Sequence, residues 1–137
     1  MEMNGTVFNL SGMSSPVVIV DHVISEAVKD GASDIFLETE EKEVRVRFRV
    51  DGSLRTFGSM VHGAYEQVLS RIKVLGNMDV TENRKPQEAK IRFEVENHPF
   101  VLRAAIVSTN FGQMAALRVL DVPKYVEFEQ LGMSREL

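Results

Sequence analysis

Hydrophobic and polar positions follow two rhythms along this chain of 137 residues. In "SSPVVIVDHVISEAVKDGAS", Val20, Val23, Ile24, Ala27 and Val28 recur at three-and-four spacing, the period of one helix face. Ser15 as N-cap, Pro16 at the first helical position and Gly31 past the end predict a helix over 16–30. The same spacing through Tyr65, Val68, Leu69, Ile72 and Leu75, closed by Gly76-Asn77, predicts a second helix over about 62–77. Elsewhere the period is two. "SDIFLE" reads as a short strand, and "EVRVRFRV" sets Val44, Val46, Phe48 and Val50 against Arg45, Arg47 and Arg49. Asp51-Gly52 is a tight-turn signal that returns "SLRTF" as a hairpin partner. "KIRFEV", "FVLRAAIVS" and "QMAALRVL", joined by "ENHP" and "TNFG", predict a three-stranded meander. The expected fold class is α+β: an antiparallel sheet of a hairpin plus a meander, packed with two main helices. Residues 1–13 read as a linker or lead-in, 14–122 as the domain and 123–137 as a connection to something further.

Two meander strands carry an unexpected letter. Arg103 interrupts "FVLRAAIV" and Arg118 interrupts "MAALRVLD", runs that otherwise look apolar on both faces. A guanidinium taken out of water costs several kcal/mol unless an anion compensates it, so each arginine requires a partner or a strand end. Two readings stand open. One is an internal carboxylate such as Asp121 or Asp79; the other is convergence of both arginines on a phosphate supplied from outside. For the Arg45, Arg47, Arg49 stripe the expectation is a solvated strand face neutralised by Glu38, Glu40, Glu41 and Glu43.

Composition narrows the choice of function. With 16 Lys+Arg against 20 Asp+Glu, the formal net charge of −4 argues against a broad nucleic-acid surface. The chain has no cysteine, which excludes disulfides and thiolate metal sites and fits a cytoplasmic location. His22, His62 and His98 share no metal-ligand spacing, so no metal site is expected. No stretch reaches the ~18 apolar residues of a membrane span, and direct membrane insertion is not expected. No G-x-x-x-x-G-K-[ST] phosphate loop occurs, so catalytic residues are not expected in this chain.

Taken in order, "GASDIFLE", "VRFRVDGSLR", "SRIKVLGNMDVTENRKPQEAKIRF", and "LRVLD" followed by "EQLGM" resemble the PAS-like domain just ahead of the motor domain in type II secretion and type IV pilus assembly ATPases. The resemblance runs from about Ser15 to Met133. Gly31 to Ile35 match the family's G-A-S-D-I-H, with Phe36 in place of the histidine. Arg47, Phe48, Arg49, Asp51 and Gly52 match R-F-R-x-D-G, and Ser70 to Lys73 match S-R-I-K. Asp79, Glu82, Arg84, Pro86 and Gln87 match most of D-x-x-E-x-R-x-P-Q-D-G-R, with Glu88, Ala89 and Lys90 where Asp-Gly-Arg is usual. Gln113 replaces the glutamate that follows Gly112.

What the resemblance implies is a PAS-like domain working in a hexamer with a RecA-like ATPase domain of the same or a neighbouring subunit. ATP and Mg2+ would be held by the parent rather than tightly by this chain. Arg103 and Arg118 would reach the terminal phosphates, with Arg47, Arg49, Arg71 and Arg84 as supporting or interface residues. Inner-membrane secretion or pilus platform proteins would be met through the parent, cytoplasmic and peripheral to that membrane. The alternative is a stand-alone PAS-like protein-interaction module without nucleotide binding.

Overall fold

The computed structural model describes residues 8–13 and 15–120, with only the backbone of Phe8. Strand β1 is Phe8–Asn9; helix α1, Pro16–Lys29, follows a single 3-10 turn at Leu10–Gly12. Then come β2 (Asp34–Thr39), β3 (Val44–Val50), β4 (Ser53–Met60) and α2 (His62–Leu75). Three long strands complete the order: β5 (Gln87–Val95), β6 (His98–Thr109) and β7 (Gly112–Leu120).

Local chemistry sets the boundaries. The Ser15 hydroxyl accepts a hydrogen bond from the Val18 N–H at 3.2 Å, and Pro16 opens α1 where no N–H is needed. Past the end of α1, Gly31 takes φ +75°. Asp51 and Gly52 both adopt positive φ, the conformation a two-residue hairpin needs to match strand twist. Glu96 and Asn97 do the same between β5 and β6, without glycine.

The strands form one sheet in the order β1-β4-β3-β2-β7-β6-β5, antiparallel throughout except for the β1–β4 pair. The hairpin and the meander are therefore joined by β2, which pairs with β3 on one side and β7 on the other. Both helices lie on one face. Ile19, Val23 and Ile24 of α1 and Val68 and Ile72 of α2 bury against Ile35, Leu37, Val46, Phe48, Leu102, Ile106 and Leu117 of the sheet. This is the expected α+β architecture of two layers.

Two local expectations change. Residues 8–13, read as lead-in, join the fold: β1 pairs with β4, Leu10 is buried in the core, and Ser11 Oγ accepts from the Val61 N–H at 2.9 Å. Leu10 sits alone among Asn, Gly and Ser, so no periodicity announces it. Between β3 and β4, Val46 pairs with Gly58 and Arg47 with Thr56, leaving Phe57 as a bulge. Its ring stacks on Phe48 with centroids 4.7 Å apart. The connection expected over 123–137 and Asp121 lie outside the described residues.

Candidate functional site

With both helices on one face, the other face of the sheet is open among the described residues, and side-chain alternation sends the odd-numbered residues of β6 to it. Arg103 and Arg118 stand there, both exposed, while Leu102, Ala104 and Leu117 point into the core. The expectation of arginines on buried strands is thus corrected. Met114, Ala116 and Leu120 are apolar residues on the open face, and they hid the alternation that makes β7 a half-covered strand.

The register places the two arginines directly opposite each other, Arg103 on β6 facing Arg118 on β7. Followed across the sheet, the same row reads Leu54, Arg49, Asp34, Arg118, Arg103 and Lys90. Like charges directly opposite each other repel, and this row holds four cations to one carboxylate. Asp34 is the carboxylate. Its Oδ1 accepts from Arg118 Nε at 3.0 Å, its Oδ2 lies 3.5 Å from Arg49 Nε, and the Ser33 hydroxyl donates to Oδ2 at 2.9 Å. The Asp34 side chain is 8% exposed and that of Arg118 66%, so the carboxylate forms the floor and the guanidinium reaches above it. Arg103 has no ion pair among the described residues.

The next row on this face is Thr56, Arg47, Phe36, Ala116, Ala105 and Glu88. The two alanines leave a low floor beside the arginines. Arg49 lies over the Phe36 ring, 5.6 Å from its centroid. Arg47 pairs with Glu38 at 3.4 Å, and Arg45 with Glu40 at 3.4 Å and Glu43 at 3.5 Å. The neutralised stripe is therefore present at Arg45 and Arg47, whereas Arg49 pairs with Asp34.

Of the arginines singled out from sequence, Arg47, Arg49, Arg103 and Arg118 share this face. Arg71 does not; it belongs to α2, and its Nε is buried without a hydrogen-bond partner. Arg84 is in the loop 76–86, where its N–H donates to Glu82 Oε2 at 2.8 Å and its carbonyl accepts from the Ser108 hydroxyl. Asp79, one of the internal carboxylates considered for Arg103 and Arg118, instead accepts from the Thr81 N–H and hydroxyl. Those bonds hold its carboxyl below the usual range. Sequence reasoning missed Asp34 as the partner because strand register, not spacing, brings it beside Arg118. It also missed Lys73, which is buried at 2% exposure. Its position four residues after Leu69, at the margin of the apolar stripe of α2, was the available signal.

The chain is similar to proteins of bacterial secretion and pilus machines. It is 34% identical over 121 residues to the putative type II secretion system protein E of Escherichia coli K12, covering 88% of this chain and 24% of that protein. It is 37% identical over 123 residues to the type IV pilus assembly ATPase TfpB of Acinetobacter baylyi, covering 88% and 21%. The chain thus spans a quarter or less of the length of these curated relatives. Among solved structures, the ATPase DotB of Legionella pneumophila superposes with a TM-score of 0.53 at 16% identity, over 80% of this chain and 30% of that one, a likeness of fold. Residues 11–137 match the family described as Type II/IV secretion system protein, and the chain belongs to that family.

Proposed function

We propose that this chain is a non-catalytic nucleotide-sensing and coupling domain of a type II secretion or type IV pilus assembly ATPase. In this reading Arg103 and Arg118 contact the terminal phosphates of ATP held on a RecA-like motor domain of the same or a neighbouring subunit. The observation that carries it is the arginine row: two guanidiniums directly opposed on an open face, one of them without a carboxylate of its own among the described residues. Such a row lowers its own repulsion by accepting an oxyanion, and guanidinium forks suit phosphate oxygens. Asp34 orients Arg118 while leaving most of its side chain exposed. The bound nucleotide would supply the phosphate charge, and Mg2+ would be held by the motor rather than by this face. Supporting the reading are the family match and relatives that are named as ATPases.

The test pairs stability with turnover. Arg103→Ala and Arg118→Ala in the isolated chain should lower stability by no more than about 1 kcal/mol in denaturant melts, because Arg103 is exposed with no ion pair among the described residues and Asp34 keeps Arg49 and the Ser33 hydroxyl when Arg118 is removed. In the full-length hexamer the same substitutions should lower ATP turnover roughly a hundredfold, with Arg→Lys rescuing poorly. Unchanged turnover per hexamer would leave the chain as a protein-interaction module that does not touch nucleotide.

A further inference from the structure

On the helix-bearing side, away from the arginine row, an open cleft of about 490 Å³ runs between α2, the loop 76–86 and the β6–β7 turn. That is the size of a small-molecule site. Leu69 and the half-exposed Phe111 supply apolar wall, and the side chains of Ser70 and Asn83 supply polar groups without a hydrogen bond to any described residue. Lys73 lines the same cleft, 2% exposed.

The hydrogen-bond partners of Lys73 are neutral. Its Nζ donates to the Glu82 carbonyl at 2.8 Å and to Gln113 Oε1 at 3.0 Å. An ammonium has three N–H groups, and the third has no acceptor among the described residues. The two carboxylates that act on it, Asp79 and Glu82, do so without an ion pair to Nζ among the described residues and are hydrogen-bonded elsewhere. Asp79 Oδ1 accepts from Thr81, and Glu82 Oε2 accepts from the N–H groups of Arg84 and Lys85 at 2.8 and 2.9 Å. A buried cation without a counter-anion is costly, and an arriving oxyanion removes that cost. Burial holds the Lys73 ammonium below the usual lysine range, with Asp79 and Glu82 opposing that shift from a distance.

We propose that this cleft binds a small oxyanion, carboxylate or phosphate, seated on the free N–H of Lys73 and flanked by Ser70 and Asn83. Glu66 also lines the cleft and selects against highly charged ligands. The site is separate from the arginine row and does not depend on it.

The experiment is a calorimetric titration of the 137-residue chain carrying Arg103→Ala and Arg118→Ala, which removes the arginine row as an anion site, with sodium succinate and with sodium phosphate, against sodium chloride at equal ionic strength. Saturable binding of either anion is expected, and the arm that binds identifies the source of the oxyanion. Gln113→Glu places an internal carboxylate on the ammonium, and should weaken binding about ten- to a hundredfold while keeping the fold. Lys73→Met in the same background should abolish it. Absence of saturable binding in both arms, or undiminished binding after Gln113→Glu or Lys73→Met, would overturn the site.

Discussion

Asp34 sets the charge balance of the open face. One carboxylate accepts from Ser33 and Arg118 and lies beside Arg49, and it does so with its own side chain almost fully covered. Asp34→Asn keeps the shape but removes the charge that offsets the arginines. We expect it to lower stability by roughly 1–3 kcal/mol in denaturant melts, more than either Arg103→Ala or Arg118→Ala. A smaller effect than the arginine truncations would mean that the row is not held by this carboxylate. Lys73 makes a pH prediction of opposite sign to that of a lysine held in an ion pair, whose pKa is raised. Its folded pKa lies below its ordinary value of 10.5, so the unfolded chain binds more protons between the two. Stability contributed at this residue therefore rises with pH through that window. Asp79 and Glu82, whose carboxyls are held below their ordinary values by backbone and side-chain hydrogen bonds, contribute stability that is lost only in acid. Tyr65, raised by burial, opposes folding only above pH 10. Denaturant midpoints measured from neutral pH to just below 10 should climb for the wild type relative to Lys73→Met. Parallel curves would show that the ammonium is not desolvated.

Among the elements, the most constrained junction is the exit of α2. Gly76 sits where an added Cβ would lie 3.0 Å from Ala89 Cβ and 3.2 Å from Met78 Cε, so a methyl there requires Ala89 of β5 or Met78 to give way by a few tenths of an ångström. Its φ is −93°, which any residue can adopt, and the requirement is therefore space rather than conformation. Gly76→Ala should destabilise by about 1–3 kcal/mol, the range for overpacking, and pairing it with Ala89→Gly should restore much of the loss. No recovery in the double variant would place the strain elsewhere. The loop that follows is itself a built element. Gln87 closes it by accepting from the Asp79 N–H at 2.9 Å and donating to the Asp79 carbonyl at 3.0 Å. Ser108 holds its centre from β6 through the Asn83 and Arg84 carbonyls.

For the whole molecule, the division into a helix-covered face and a charged open face decides how it meets other molecules. The open face is rich in Arg, Lys and Glu, and such a surface does not self-associate through apolar burial. The isolated chain should sediment as a monomer near its mass of 15.4 kDa or as a weak dimer. A stable hexamer of this chain alone would contradict the view that its main partner is another domain. No helix among the described residues is long and apolar enough to cross a membrane.

The sequence by itself determined the two helices and the strands β2 to β7, because each is written in local rules, whereas β1 and the buried Leu10 carry no such mark. Three-and-four spacing with Ser15 and Pro16 marks α1, period two marks β3 and β5, and Asp51-Gly52 marks the hairpin. Motif order was enough to indicate the family, and the two arginines stood out as cations in apolar runs. Tertiary structure decided which side of the sheet is covered. That depends on where both helices pack, and it converts Arg103 and Arg118 from buried charges into exposed ones. Strand register decided that Arg103 faces Arg118 and that Asp34 joins Arg118 to Arg49, pairings between residues as far as 84 positions apart. It decided too that Lys73 lies buried between Glu82 and Gln113 with a donor to spare. Local periodicity carries no information on such long-range neighbours, because only the assembled sheet and its helices fix which side chains share one dielectric environment.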